Sequence, residues 1–290
     1  MTTISELKSI LKNRGLHLNR KLGQHLLIDS NIRKKIIETA DLSGNDSVIE
    51  IGAGMGFMTE ELINYCGNVY AVEIDKGFVI YLQEIFKGKK NLTIIHDDIL
   101  RFDLEKKIIE ENRKGYSVKI LGNLPYNINA PIITKIAEIK VPASSCCFVV
   151  QKEVAERYAA VSGSKNYGAI SIYLQYRFRL RKAFSIPNDC FFPKPEVESA
   201  VINLVPYSAP PVKVSDEELF FKLIRTAFSQ RRKMISNSIK CIELVGEKQN
   251  IINKALEIAQ ISPQERPENI SIESFARLTN ALNVIRGEKH

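Results

Sequence analysis

A chain of 290 residues suits one large domain, or a large domain followed by a smaller one. Its 44% hydrophobic and 26% charged residues are typical of a soluble globular protein, and no apolar run approaches the ~18 uncharged residues of a membrane span. The first residues lack the apolar block of a signal peptide, so we predict a cytoplasmic protein with no membrane partner. The 41 basic and 33 acidic residues give a formal net charge of +8, which by itself excludes little.

Five short apolar runs alternate with helical patterns in the first 160 or so residues. We interpret as strands the runs 46–51, 69–74, 92–96, 118–122 and 146–150. Helical spacing is found in the stretches 58–65, 78–86, 131–139 and 152–161. Strands that are apolar on both faces and alternate with helices indicate a parallel sheet covered on both sides.

The pattern changes after about residue 165. Residues 169–180 and 198–205 have the β-branched and aromatic composition of strands, and we predict an antiparallel edge on the same sheet. Three prolines between 206 and 211 then mark a break, and only helical patterns follow from Asp216. The sequence therefore predicts an α/β domain over residues 1–207 and a small all-helical domain over residues 212–290.

A glycine-rich turn follows the first predicted strand directly and leads into a helix. Its spacing is GxGxG, with Gly52 and Gly54 as the first two glycines. Such a turn lets a ligand approach the backbone beside a helix N-terminus, although a tight structural turn is the alternative. Phe57 stands where the dinucleotide fingerprint GxGxxG has its third glycine, and the GK[ST] of a P-loop is absent.

Acidic residues follow the next two strands. Glu73 lies about twenty residues beyond the first glycine, where an acid can bind ribose hydroxyls. Asp98, at the end of the third strand, could accept a hydrogen bond from the amine of an adenine. The adjacent Ile74 and Ile99 complete this predicted site. A glycine turn and two acids at successive strand ends are the arrangement of class I methyltransferases, and they predict S-adenosylmethionine rather than NAD as the cofactor.

The fourth strand ends in Asn123-Leu124-Pro125-Tyr126, a turn that its proline makes stiff. The Asn123 side-chain oxygen and the Leu124 carbonyl would hold both hydrogens of an exocyclic adenine amine. The amine nitrogen would then become pyramidal and direct its lone pair at the methyl donor, while Tyr126 stacks on the base. Catalysis would consist of positioning and electrostatics, without a covalent intermediate or a metal.

The Asn-Leu-Pro-Tyr turn resembles the motif of the ribosomal RNA adenine dimethyltransferases. Four other segments resemble motifs of that family, and the likeness spans nearly the whole chain: KLGQHLL at 21–27, CFFPKPEVESAV at 190–201, FSQRRK at 228–233 and RPE at 266–268. The resemblance is closest to the branch that dimethylates two adjacent adenines near the 3′ end of 16S ribosomal RNA. It implies a Rossmann-like class I methyltransferase fold with an antiparallel edge and a helical C-terminal domain that binds RNA or the ribosome.

The resemblance also implies site residues. Asn123, Tyr126 and Phe191 would grip the flipped adenine, with the base between the two rings. Cofactor contacts are implied for His25, Leu27, Gly52, Glu73, Asp98 and Asn123. His25 stands where bacterial members usually carry Asn, and Leu26 where they usually carry Phe.

Basic residues gather in three clusters, which together suit a polyanion if they converge on one face. A solvated helix face is the alternative for each cluster alone. The clusters are Lys8, Lys12, Arg14, Arg20 and Lys21; Arg177, Arg179, Arg181 and Lys182; and Arg231, Arg232 and Lys233, the last of which we predict to bind RNA. A monomer that binds 16S ribosomal RNA in the small subunit or its precursor, with a part in ribosome biogenesis, is the simplest interpretation.

Two alternatives stay open. A related family methylates an adenine of 23S RNA and confers macrolide resistance; the FSQRRK and RPE segments favour the small-subunit branch over it. The chain could also be a non-catalytic ribosome-assembly factor on a methyltransferase scaffold, against which the intact acids and the Asn-Leu-Pro-Tyr turn argue. The five cysteines form no CxxC pair and have no histidines at zinc-ligand spacing, so we predict reduced structural thiols.

Overall fold

The computed structural model describes residues 4–18, 24–240, 242 and 248–287. The chain divides into two compact units, one from Met1–Ala155 and Leu180–Pro206 and the other from Glu156–Arg179 and Tyr207–His290. The chain passes between the two units after residues 155, 179 and 206, and the predicted boundary between 207 and 212 follows the last of these points. Residues 156–179 differ from the prediction, because they belong to the helical unit and not to the sheet unit.

The first unit is an α/β structure in which helices alternate with strands. Two of its elements, α7 and β7, also include a few residues that belong to the second unit. In chain order its elements are α1 (Ile4–Asn13), β1 (Leu26–Leu27), α2 (Ser30–Thr39), β2 (Asp46–Ile51), α3 (Phe57–Tyr65), β3 (Asn68–Glu73), α4 (Lys76–Ile85), β4 (Leu92–His96), α5 (Leu104–Arg113), β5 (Ser117–Asn123), α6 (Asn129–Glu138), β6 (Ser145–Gln151), α7 (Lys152–Tyr158), β7 (Phe178–Ile186), β8 (Phe191–Phe192) and β9 (Ser199–Pro206).

The central sheet has seven strands in the order β4-β3-β2-β5-β6-β9-β7. The pairs from β4 to β6 are parallel, and β9 joins β6 in the antiparallel direction, which confirms the predicted fold class. The direction of chain progression reverses between β2 and β5, where Ile51 pairs with Gly122. The carboxyl ends of parallel strands form a crevice at such a reversal, and α/β proteins bind their ligands there.

The five predicted parallel strands are confirmed to within one residue at each end. Short apolar runs mark all five, and four of them are mostly buried, whereas β4 at the sheet edge is partly exposed. The predicted strand over residues 169–180 is wrong for residues 169–177, which form the helix α8 (Ala169–Arg177), and right for residues 178–180, which begin β7. The Ser171 hydroxyl accepts from the Gly168 N–H at 3.1 Å, which caps the first turn of α8. Tyr176 then packs against Phe220 at a ring-centroid distance of 5.1 Å, so tertiary packing outweighs strand propensity.

Apart from the start of β7, which falls within it, the regular elements of the second unit are helices. After α8 it contains α9 (Glu217–Ser229), α10 (Ile235–Ser238), α11 (Lys248–Ile258) and α12 (Ile272–Gly287). Its core is apolar and includes the fully buried Phe220, Leu223 and Phe275. In the described part of the chain, no helix combines the length and the apolar character needed to cross a membrane.

Four cysteines lie in the described part of the chain, and all four are free thiols. Burial raises the pKa of Cys66, Cys146 and Cys147, so these thiols are poor nucleophiles and act as small apolar side chains. Cys241 lies outside the described residues. Within the residues described, no three His, Cys, Asp or Glu side chains come together in a way that could hold a metal ion.

Candidate active site

A cavity of about 290 Å³ opens at the carboxyl ends of the parallel strands. All nine residues predicted for the cofactor site line it, although they come from widely separated parts of the chain. They are His25, Leu27, Gly52, Gly54, Glu73, Ile74, Asp98, Ile99 and Asn123. The first three residues of the KLGQHLL segment lie outside the described residues, as do Arg20 and Lys21 of the first basic cluster.

The glycine turn after β2 forms part of the cavity wall. Gly52 and Gly54 have φ angles of +73° and +54°, in the left-handed region that residues with a side chain rarely adopt. A Cβ atom at Gly54 would also lie 3.1 Å from the Leu26 side chain. The two glycines therefore allow the tight turn and keep the cavity open beside the backbone.

Glu73 is 4% exposed and ties the end of β3 to the glycine turn. Its Oε2 accepts from the Gly54 N–H at 2.8 Å and its Oε1 from the Asp75 N–H at 2.9 Å. Burial raises the pKa of this carboxyl group, while the two backbone hydrogen bonds lower it. Each carboxylate oxygen keeps further acceptor capacity, which is what the two hydroxyls of a ribose require.

The cavity walls beyond Glu73 offer groups that suit an adenine, as the predicted cofactor has. Ile74 and Ile99 line the cavity from neighbouring strand ends and offer apolar surface to a flat heterocycle. Asp98 lies beside them, and its Oδ1 accepts from the Leu100 N–H at 2.9 Å, which holds the carboxylate in place. A carboxylate suits the amine of an adenine, as Glu73 suits a ribose.

A second buried carboxyl group, Glu50, also lines the cavity. It lies in β2, is 2% exposed, and accepts a hydrogen bond from the Thr59 hydroxyl at 2.5 Å. Burial raises its pKa to about 7, against the opposing effect of the Thr59 hydrogen bond, and the nearby Glu73 raises it further. The sequence reasoning missed Glu50, although a carboxylate between two isoleucines at the end of a buried strand is a recognisable signal.

Glu50→Gln is expected to stabilise the ligand-free protein at about pH 8. A folded-state pKa of about 7, against 4.5 for an ordinary Glu, means that ionised Glu50 destabilises the fold as pH rises between these values. The difference sets an upper bound of about 3 kcal/mol on the gain, which should vanish below pH 4.5, where both side chains are neutral. Urea unfolding at the two pH values measures it; a gain that does not depend on pH would contradict the assignment.

The Asn123-Leu124-Pro125-Tyr126 turn lies where β5 meets the cavity. Asn123 donates a hydrogen bond through Nδ2 to the main-chain oxygen of His25 at 2.5 Å. A carbonyl can only accept, so the amide nitrogen takes this contact and the amide oxygen is left to accept from another group. The Leu124 N–H donates to the Val149 oxygen at 3.0 Å, and its side chain is buried, so the turn is anchored to β6.

Tyr126 is held at its hydroxyl by Ser199, whose Oγ lies 2.8 Å away. Burial raises the pKa of the Tyr126 phenol, so the hydroxyl stays protonated. Ser199 is fully buried at the start of β9, where it pairs with Gln151 of β6. The sequence reasoning gave Ser199 no function; its place in the 190–201 segment was the available signal.

A second, more open groove of about 750 Å³ contains Tyr126 and Phe191. Two lysines and two acidic residues also line it: Lys8, Asp189, Lys194 and Glu196. Their formal charges balance, so the groove suits an uncharged ring. The Phe191 side chain is only 3% exposed and packs in the core of the sheet unit. The ring stacked on Tyr126 is that of His25, at a centroid distance of 5.2 Å.

The basic triplet of the FSQRRK segment is divided between two environments. Arg231 binds Glu268 through Nε at 2.5 Å and the Lys165 carbonyl through Nη2 at 2.6 Å. It therefore joins the FSQRRK segment to the RPE segment, which contains Glu268. Arg232 and Lys233 are exposed.

The chain matches the family model described as ribosomal RNA adenine dimethylase over residues 15–284. The ribosomal RNA small subunit methyltransferase A of Geobacillus thermodenitrificans is 39% identical over 283 residues, which cover 97% of each chain. The protein of the same name from Bacillus pumilus is 41% identical over 277 residues, 95% of this chain and 94% of the relative.

Two solved structures share the fold. A dimethyladenosine transferase from Plasmodium falciparum has a TM-score of 0.76 at 23% identity, over 89% of this chain and 98% of its own. The 23S rRNA methyltransferase ErmE has a TM-score of 0.68 at 22% identity, over 89% of this chain and 99% of its own.

The sheet topology, with a glycine turn and strand-end acids beside the cavity, is that of the class I methyltransferase fold, and the family match makes the chain a methyltransferase that uses S-adenosylmethionine. Within that class, the chain belongs to the ribosomal RNA adenine dimethylase family.

Proposed function

We propose that this enzyme transfers methyl groups from S-adenosylmethionine to the N6 amino groups of two adjacent adenines near the 3′ end of 16S ribosomal RNA. The curated relatives named for the small subunit support the choice of RNA, since they match almost from end to end. The observation that carries the chemistry is the Asn123 amide, which donates to the His25 carbonyl and so leaves its oxygen to accept from an amine.

The difficulty in this reaction is that the exocyclic nitrogen of adenine is a poor nucleophile, because its lone pair is delocalised into the ring. When bound, S-adenosylmethionine supplies an electrophilic methyl group on a sulfonium. In the first transfer Asn123 Oδ1 and the Leu124 carbonyl accept the two amine hydrogens, and in the second one of them accepts the single hydrogen that remains. Each arrangement favours a pyramidal nitrogen with a localised lone pair, and the proton that the methylated nitrogen loses passes to solvent. Pro125 keeps the two acceptors fixed, so they need little reorganisation as charge develops on the nitrogen.

Other residues of the chain bind and orient the two reactants. Glu73 and Asp98 hold the cofactor by its ribose and its adenine. Tyr126, fixed at its hydroxyl by Ser199, presents its ring to the flipped target base, which must leave the RNA stack to reach the site. Phe191 lines the same groove and borders the base.

The helical unit would contact the RNA, and this contact distinguishes the small-subunit reaction from the 23S reaction. Arg231 and Glu268 link the two segments that favour the small-subunit branch, and this link presents Arg232 and Lys233 on the surface. We propose that one copy of the chain binds the small subunit or its precursor in the cytoplasm and acts during ribosome biogenesis. A purely non-catalytic assembly factor would have no need of the complete cofactor site.

The assignment is tested by offering labelled S-adenosylmethionine with purified, unmethylated small and large ribosomal subunits. We expect label in the small-subunit RNA alone, within a fragment from its 3′ end. Label in the large-subunit RNA would support the 23S reaction instead. Absence of label from both, with cofactor binding intact, would favour the non-catalytic alternative.

Arg232→Ala combined with Lys233→Ala is expected to weaken RNA binding and leave methyl transfer at saturating RNA unchanged. Each phosphate that the protein no longer neutralises should reduce the slope of log affinity against log salt by about 0.7–0.9. Filter binding over a salt series measures the slope. Arg231→Ala is the matched comparison: it removes two internal hydrogen bonds, so it should lower the free energy of unfolding by about 1 kcal/mol. Unchanged RNA affinity in the double variant would show that Arg232 and Lys233 are exposed to solvent but do not bind RNA.

A further inference from the structure

His25 stands at the junction of the cofactor cavity and the open groove. Of the described residues that line these two spaces, it is the one common to both. The acceptors for the target amine lie on the cavity side, at Asn123, whereas the stacking ring lies on the groove side, at Tyr126. A base that reaches Asn123 while stacked on Tyr126 must therefore pass His25.

The main chain and the side chain of His25 make separate contacts. Its carbonyl oxygen accepts from Asn123 Nδ2, a bond that any residue at this position could make. Its Nδ1 lies 2.7 Å from the Pro193 oxygen. A carbonyl cannot donate, so Nδ1 carries a proton in this contact. The main chain thus supports the catalytic amide, and the imidazole is anchored to the loop between β8 and β9.

The imidazole also covers one face of Tyr126. The two ring centroids are 5.2 Å apart, and the ring planes are 27° from parallel. Stacked aromatic rings need about 3.5 Å between planes, so a base inserted between these two rings would require about 7 Å. While His25 keeps this position, no third ring can stack on that face of Tyr126.

We propose that the His25 imidazole occupies the stacking face of Tyr126 until the target adenine displaces it. In the absence of RNA the ring stacks on Tyr126 and donates a hydrogen bond to the carbonyl of Pro193. The flipped adenine then takes that face, and the imidazole turns away from it without disturbing its own carbonyl or Asn123. This inference rests on the proposed function, because it assumes that a flipped adenine is the substrate.

Variants of His25 distinguish two models. In the proposed exchange the imidazole leaves Tyr126 when the adenine binds, and in the alternative the imidazole stacks permanently on the bound base. His25→Ala removes the competing ring, so the concentration of small subunits at half-maximal rate should fall several-fold. His25→Phe keeps a ring that can stack on Tyr126, so it should not reproduce that fall. Calorimetry gives the S-adenosylmethionine affinity of both variants, so that a change in cofactor binding is separated from the change in half-saturation by small subunits. If the imidazole instead stacked permanently on the bound base, the concentration of small subunits at half-maximal rate should rise in His25→Ala and return to the parent value in His25→Phe.

Nuclear magnetic resonance of the parent protein, labelled at the histidine ring carbons, observes the exchange directly. The chain has four histidines, and His25→Asn identifies the relevant signal. Stacking on Tyr126 should shift that signal upfield, and adding adenosine with S-adenosylhomocysteine should abolish the shift. A signal that keeps its shift while adenosine binds would overturn the proposal, as would a His25→Ala variant with unchanged half-saturation. Failure of the parent to methylate small subunits would instead refute the proposed function.

Discussion

Asn123→Ala is expected to slow single-turnover methyl transfer by about two orders of magnitude or more, as for the loss of one preorganised electrostatic contact. In the proposed mechanism the Asn123 oxygen accepts most strongly when the amine becomes pyramidal, so its effect should be larger in the transition state than in the ground state. RNA affinity should stay nearly the same, because phosphate contacts elsewhere dominate it. Rapid-quench measurement with saturating subunits and cofactor gives the rate.

Variants at Tyr126 provide the comparison for this result. Tyr126→Phe keeps the ring and loses only the hydrogen bond to Ser199, so it should retain most of the rate. Tyr126→Ala loses the stacking surface and should lose both base binding and rate. An Asn123→Ala protein that is folded, binds both ligands and still transfers methyl groups at the parent rate would refute the mechanism.

Glu73→Ala is expected to weaken S-adenosylmethionine binding by about 1–3 kcal/mol, which is the range for a lost hydrogen bond to a charged group. The variant also leaves the Gly54 and Asp75 N–H groups without their acceptor, which should lower the free energy of unfolding as well. Burial raises the pKa of Glu73, so this carboxylate becomes protonated at a higher pH than an ordinary carboxyl group. As the pH falls, the parent protein should therefore begin to lose cofactor affinity at a higher pH than it would with an ordinary carboxyl group. Calorimetry over a pH series measures both effects.

Glu60→Ala is a suitable control for this variant. Glu60 is an exposed acid on α3, and its removal changes the charge equally without touching the cavity. Cofactor affinity should then match that of the parent. If Glu73→Ala is folded and binds the cofactor as tightly as Glu60→Ala does, Glu73 does not hold the ribose.

Much of the fold and the cofactor site could be predicted because both depend on local patterns. Buried strands such as β2 are continuous apolar runs, and the carboxyl ends of parallel strands meet at one edge of the sheet. Glu73 and Asp98 therefore had to lie near the glycine turn once the strands were recognised. The pattern failed at residues 169–180, where β-branched and aromatic residues face a helical core that is not visible in the local sequence.

The contacts that sequence reasoning could not predict join distant segments. The imidazole of His25 meets the Pro193 carbonyl 168 residues away, so its position over Tyr126 depends on how the 190–201 segment folds back. Arg231 belongs to a basic triplet, and only the folded chain shows that it pairs with Glu268 while its two neighbours are exposed. Composition indicated the charge of that segment, but it could not show which cations are already paired.

The most direct test of the central claim is the chemical identity of the product. Small-subunit RNA treated with the enzyme and S-adenosylmethionine is digested to nucleosides and analysed by mass spectrometry against authentic standards. The account predicts N6,N6-dimethyladenosine at two adjacent positions near the 3′ end, and almost none with Asn123→Ala. Methylation of a ring nitrogen, a ring carbon or a ribose hydroxyl would contradict it, because none of these carries the pair of N–H groups that the Asn123 and Leu124 acceptors are proposed to hold.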